Sequence, residues 1–155
     1  MITIRIAREE DLENLAEIYV KTYKAFDAGE KWARESAYKL LSYWHSAHPD
    51  LAFLAEFNNS IVGGLFIGLK PWWDGNRLVD GELFVDPKYQ KRGIGRELIK
   101  HMLTESIKKY EVVSWDFTTF RNHEFPLAWY KKIGLKEAKE WTTLSGNPQE
   151  ILSNM

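Results

Sequence analysis

Glu82-Leu83-Phe84-Val85-Asp86-Pro87-Lys88-Tyr89-Gln90-Lys91-Arg92-Gly93-Ile94-Gly95-Arg96-Glu97-Leu98-Ile99 is the stretch on which the reading of this chain turns. Its apolar start continues a run from Leu78 to Val85, which reads as a central strand stopped by Asp86-Pro87. Arg96 to Tyr110 follows with Leu98, Ile99, Met102, Leu103 and Ile107 at helical spacing. Between them lies a turn, Gln90 to Gly95. A helix start leaves backbone N–H groups unpaired and carries partial positive charge. Gly93 and Gly95 permit a tight turn and close approach, and Lys91 and Arg92 add charge, so the turn predicts a cradle for a pyrophosphate. It is not the GxxxxGK[ST] loop of nucleotide hydrolases, and the third glycine of a dinucleotide fingerprint is missing. The tripeptide by itself is equally that of an ordinary strand-to-helix turn.

Outward from this stretch, Ile2, Ile4 and Ile6 alternate as in a half-buried strand, and Glu9 to Val20 switches to helical spacing. A second helix is predicted from about Glu30 to Ala47, ended by Pro49. Leu51–Phe57 and Ile61–Leu69 flank Asn58-Asn59 and read as a β-hairpin, with a loop over Pro71–Asn76. Val112–Thr118 reads as a strand, Pro126 opens a helix to about Ile133 with Gly134 as its cap, and Lys136–Leu144 reads as a last short strand. The order β-α-α-β-β-β-α-β-α-β predicts a mixed α/β fold, with a central mixed sheet and helices on both faces. At 155 residues, without repeat or linker, the chain reads as one domain over 1–155.

Composition narrows the function. A net charge of −1 disfavours a dedicated nucleic-acid binder. With no cysteine there is no disulfide framework, thiolate zinc site or cysteine nucleophile. His45, His48, His101 and His123 lack metal-ligand spacing, so no metal is expected. The Met1–Arg5 start has no signal-like apolar stretch and no run approaches the ~20 residues of a membrane span, so the expectation is a cytoplasmic protein that does not enter membranes.

The stretch from Glu82 to Ile99 closely resembles motif A of the GNAT superfamily, the GCN5-related N-acetyltransferases, whose pattern is a strand followed by [RQ]-x-x-G-x-[GA] opening a helix. Ile4–Leu12 is similar to that family's first strand and helix entry, and Ala128–Leu135 to its late helix. The resemblance implies the GNAT fold along nearly the whole chain. It further implies that acetyl-CoA is the cosubstrate and that an acetyl group moves to a primary amine by direct attack on the thioester. The CoA pyrophosphate would meet Gln90, Lys91, Arg92, Gly93, Ile94, Gly95 and Arg96, and the pantetheine arm would pair with Leu83, Phe84 and Val85. Tyr130 matches the tyrosine that protonates the departing thiolate, although the same position suits a core tyrosine.

Glu82 is the candidate general base, with Asp116 a second choice and the solvated edge of a sheet the alternative. Strand periodicity puts Asp80 and Glu82 on one face, where each raises the other's pKa and both attract a cation. Asn122 lies eight residues before Tyr130, where the family's cofactor-contacting asparagine lies seven before, and only one strand is expected after Gly134. Exchange of a strand with a second copy would make up the difference, which allows a homodimer. On the acceptor side, Phe26, Trp32, Trp72, Trp73, Asp80 and Asp116 suit a small cationic amine. A peptide or protein amine, or a CoA-binding module without turnover, are the other readings.

Overall fold

The computed structural model describes the backbone of residues 1–155 and every side chain except that of Glu124. Chain contacts divide it into two compact units, residues 1–118 and 119–155. The first unit contains β1 (Ile2–Ile6), α1 (Leu12–Phe26), α2 (Arg34–Ala47), β2 (Ala52–Phe57), β3 (Ser60–Trp72), β4 (Gly75–Val85), α3 (Ile94–Tyr110) and β5 (Ser114–Asp116). The second contains α4 (Glu124–Lys132) and α5 (Pro148–Ser153).

The sheet runs β1-β2-β3-β4-β5, antiparallel up to β4 and parallel between β4 and β5. Adjacent side chains of β2 go to opposite faces, as strand pleating requires. Leu54 joins Leu15, Ala16, Tyr19, Ala37 and Leu41 in the core beneath α1 and α2, whereas the Phe53 ring stands 5.2 Å edge-on from His101 of α3. Helices therefore cover both faces, and the mixed sheet stands as the sequence predicts. The entry to α1 is fixed by charge. Arg5 on β1 forks onto both Asp11 oxygens at 2.7 and 3.0 Å and reaches Glu56 on β2 at 3.0 Å. These donors, the Arg5 guanidinium first, hold the Asp11 carboxyl below its ordinary range.

Several boundaries differ from the sequence reading. The Asn58-Asn59 turn is as predicted, both residues taking positive φ. The following hairpin is longer than predicted: Pro71 pairs with Asn76 and Trp72 with Gly75, so most of the expected loop is strand. Lys70 sits 4.2 Å from the centre of the Trp72 ring, and Arg77 at 5.9 Å reaches the same ring from across the ladder, clipping the two strands together. α2 begins at Arg34, after an extended Ala33 whose N–H is taken by the Ser36 hydroxyl. β5 is confined to Ser114–Asp116, within the predicted Val112–Thr118.

The last predicted strand is the main correction. Residues 136–147 form no strand, and among the described residues 119–155 hold no other strand to pair with, so the ladder bonds that would stabilise one are absent. Instead the chain enters α5, opened by Asn147, whose side chain accepts from the Gln149 N–H at 2.9 Å, with Pro148 in the first turn. α4 matches expectation more closely. Phe125 stays extended before Pro126, as a pre-proline residue prefers, and the helix closes at Gly134. There the Gly134 N–H bonds to the Lys131 carbonyl and the Leu135 N–H to that of Tyr130. Among the described residues no helix is long and apolar enough to cross a membrane.

One irregularity in β4 positions everything that follows. Phe66 pairs with Glu82 but Gly68 pairs with Val79, so Asp80 and Gly81 together face Ile67 across the ladder. This β-bulge puts both residues at positive φ, 48° and 93°. A Cβ on Gly81 would lie 2.1 Å from the Phe66 carbonyl oxygen. Gly93 also has a positive φ of 83°, but a Cβ there would meet nothing within 4 Å. Gly81→Ala is therefore expected to cost about 2 kcal/mol or more in urea unfolding, and Gly93→Ala only about 1 kcal/mol. Equal losses would contradict the account of the bulge.

Candidate active site

The bulge separates β4 from β5. The two strands pair only over Arg77–Val79 and Ser114–Asp116, and the pairing stops where the extra residue begins. Beyond it, β4 continues through Glu82–Val85 with β3 alone. The Asp86 N–H donates to the Val62 carbonyl of β3 at 2.8 Å. Peptide groups alternate along a strand, so those of Leu83 and Val85 point to the other edge, where β5 no longer runs. The Val85 carbonyl is occupied there by the Gln90 amide at 2.9 Å and the Thr22 hydroxyl at 3.1 Å. Among the described residues the Leu83 N–H and C=O and the Val85 N–H take no partner and form an open strand edge. A polar linear ligand can complete such an edge, as an added strand does.

The same strand leads into the anion cradle. Lys91 and Gly93 both have positive φ, and Gly93 caps α3. The first helical bond of α3 runs from the Glu97 N–H to the Gly93 carbonyl, so the amides of Ile94, Gly95 and Arg96 precede the hydrogen-bonded ladder. The space in front of Gly93 is open. Gln90 ties the loop back to the end of β4, and the Arg92 guanidinium lies 5.6 and 5.5 Å from the Phe57 and Tyr89 ring centres, beside the turn. N–H groups ahead of the helical ladder, open space and the Arg92 cation beside the turn together suit a pyrophosphate. The cradle thus suits an anion and the open edge a linear amide-bearing chain.

Glu82 lies just past the bulge, under α1. Its Oε2 accepts from the Tyr19 hydroxyl at 2.8 Å and the Tyr23 hydroxyl at 3.4 Å. The two phenol rings stack at 4.5 Å, being one helical turn apart, and the Trp32 ring lies edge-on to Tyr19 at 5.1 Å. Burial in these surroundings pushes the Glu82 carboxyl up to about 7; the two phenols oppose the rise, and the charges of Glu30 and then Asp80 add to it. A carboxylate that titrates near neutrality beside an open strand edge is suited to take a proton from an amine.

A sequence model of the acetyltransferase (GNAT) family matches residues 12–135. The chain belongs to this family. An uncharacterised N-acetyltransferase of Methanocaldococcus jannaschii is 31% identical over 144 residues, covering 87% of this chain and 61% of that protein; the chain thus spans about three fifths of its relative's length. Two solved structures share the fold. A possible acetyltransferase from Clostridium difficile superposes with a TM-score of 0.79 at 17% identity, over 95% of this chain and 97% of that one. The PaiA N-acetyltransferase of Thermoplasma acidophilum, in complex with coenzyme A, does so with a TM-score of 0.70 at 22% identity, over 88% and 90%.

The GNAT chain brings some of the predicted residues together and keeps others apart. Trp32 and Phe26 join the Glu82 cluster, Phe26 through the Tyr23 ring at 6.5 Å, and Trp32 is held by its indole N–H on Glu30 at 2.8 Å. Trp72 and Trp73 do not join it. They form the tip of the β3–β4 hairpin, seven residues along β4 from Glu82, or about 20 Å at the rise of a strand. Asp116 is committed elsewhere, to Arg77 at 2.9 Å in a network with Asp74. Asp80 and Glu82 do not share a face by strand period, because the bulge interrupts the alternation; Asp80 acts on Glu82 only as the weaker of two nearby charges. Asn122 and Tyr130 belong to the second unit, Asn122 exposed in the turn before α4 and Tyr130 in its last turn.

Sequence reading missed Tyr19 and Tyr23. The signal was present for the tyrosines, since an i,i+4 pair of amphipathic rings on one helix face is a place to look for a buried polar partner.

The raised Glu82 carboxyl carries a stability consequence. Its folded value lies above its unfolded one, so its contribution is complete below the unfolded value near 4.5 and is lost as pH rises through about 7. At pH 8 the half-buried carboxylate costs roughly 3 kcal/mol relative to acid conditions. Thermal unfolding between pH 5 and 8 should show wild-type Tm falling and that of Glu82→Gln staying level over the same range. Parallel curves would contradict the burial of this charge.

Proposed function

We propose that the chain is an acetyl-CoA-dependent N-acetyltransferase acting on a primary amine of a small cationic molecule. The observation that carries this reading is the Glu82 carboxyl, held by the Tyr19 and Tyr23 hydroxyls at the head of an unpaired strand edge. Family membership and the complex of the Thermoplasma relative with coenzyme A support the choice of cosubstrate.

Bound acetyl-CoA supplies the thioester carbonyl that the amine attacks. The amides of Lys91 to Arg96 hold its pyrophosphate, with Lys91 and Arg92 adding charge, and the Leu83 and Val85 peptide groups hold its amide-bearing arm. An amine arrives protonated and cannot attack until it loses that proton. Glu82 accepts it, leaving the nitrogen lone pair free to form the C–N bond. As the C–S bond breaks, the sulfur needs a proton; Tyr130 is the donor by its place in the family pattern, and the proton that the acylated nitrogen sheds restores the phenol. Asn122 is a further contact to the cosubstrate on the same basis. The negative charges of Glu30, Asp80 and Glu82, among the Tyr23, Phe26 and Trp32 rings, favour a cationic acceptor.

The chain has no cysteine, so a thiol reagent reads only released CoA. With acetyl-CoA and a panel of polyamines, aminoglycosides and peptides, wild type is expected to release thiol with a small polycation. Glu82→Gln is expected to lower the rate about a hundredfold or more, while binding acetyl-CoA as wild type does by calorimetry. Turnover with peptides alone would replace the acceptor, and full activity in Glu82→Gln would remove the base.

A further inference from the structure

We propose that Tyr19 and Tyr23 are positioning residues that grip one oxygen of the Glu82 carboxylate and so reserve the other, Oε1, as the proton acceptor for the amine; this rests on Glu82 being the base. Both phenol bonds land on Oε2, at 2.8 and 3.4 Å, and among the described residues none is made to Oε1. A carboxylate held by one oxygen in this way cannot present either oxygen at random. Its plane and its free lone pairs are set before substrate arrives, which is what preorganisation of a base requires.

The grip is itself built into the core. Tyr19 is 1% exposed, its ring stacked on Tyr23 and edge-on to Phe84 at 5.1 Å. Burial pushes both phenols well above the ordinary tyrosine range, so they remain O–H donors throughout the range in which Glu82 titrates. The groups acting on the carboxylate are then few. Tyr19 and Tyr23 come from α1, Glu30 from the connection to α2, where Trp32 holds it, and Asp80 from β4 itself. Phe66, the cross-strand partner on β3, is apolar. Burial, Glu30 and Asp80 favour the protonated acid, while the two phenols alone favour the carboxylate. Without them the side chain would hold its proton through neutral pH and could not act as a base there.

Tyr19→Phe and Tyr23→Phe keep the rings and remove only the hydroxyls. Two measurements read the effect: the titration of the Glu82 δ carbon by NMR in glutamate-labelled protein, with the resonance assigned by its loss in Glu82→Gln, and the pH profile of kcat/KM. In Tyr19→Phe the Glu82 titration is expected to move to higher pH, with the rising limb of kcat/KM following it. The rate would be about tenfold lower at pH 6 and would recover toward wild type at pH 9. Tyr23→Phe, with the longer bond, is expected to move both less. An unmoved Glu82 titration in a folded Tyr19→Phe would overturn the grip. A titration that moves while the rate profile does not would leave the grip standing and remove Glu82 as the base.

Discussion

Gly81 packs so tightly against β3 that its missing side chain is the reason the strand can bend there. Asp80 and Gly81 share one position across from Ile67, and only a residue free to take a φ of 93° beside the Phe66 carbonyl can complete that bulge. Before it, β4 is an ordinary interior strand between β3 and β5. After it, β4 has one neighbour, and the peptide groups of Leu83 and Val85 face an edge with no ladder. A cofactor slot in the middle of a sheet would otherwise demand broken hydrogen bonds on both sides. Here one inserted residue opens the slot on one side only, and the β3 side keeps its bonds through to Asp86.

The bulge also sets the chemistry. Glu82 follows it directly and projects beneath α1, into the cluster of Tyr19, Tyr23 and Trp32. A carboxylate on an open surface would be ionised far below neutrality and would be a poor acceptor for an ammonium proton. Burial raises it, nearby negative charge raises it further, and the phenols draw it back to about 7. The strand therefore delivers an open edge, the proposed base and, through Asp86–Gly93, the start of α3 within a dozen residues. That proximity explains why so short a stretch of sequence carries so much of the functional reading.

What was legible in the sequence follows from how local each signal is. The turn at Gln90–Gly95 and the helix after it depend on glycine and on spacing, and both could be read directly. The family match over 12–135 accords with that reading. The bulge was not read, although Asp80-Gly81 inside an apolar run is the kind of pair that marks one, and missing it put Asp80 on the wrong face. Trp72 and Trp73 were drawn toward the acceptor side because aromatic residues near carboxylates suit a cation. Their distance from Glu82 depends on how far the β3–β4 ladder continues past Pro71, which cross-strand contacts decide. The strand predicted over Lys136–Leu144 failed for the complementary reason: a strand exists only with a partner, and the Asn147-Pro148 helix start was the stronger local signal.

The claim at the centre of this account is that the unpaired edge of β4 and the start of α3 together receive CoA. Amide hydrogen exchange, residue by residue, with and without acetyl-CoA, reads it most directly. Slower exchange is expected at Leu83, Val85 and Ile94 to Arg96 on addition of acetyl-CoA, with Phe84, already bonded toward β3, unchanged. Protection that appears elsewhere, or binding that leaves the Leu83 and Val85 amides exchanging as before, would contradict it.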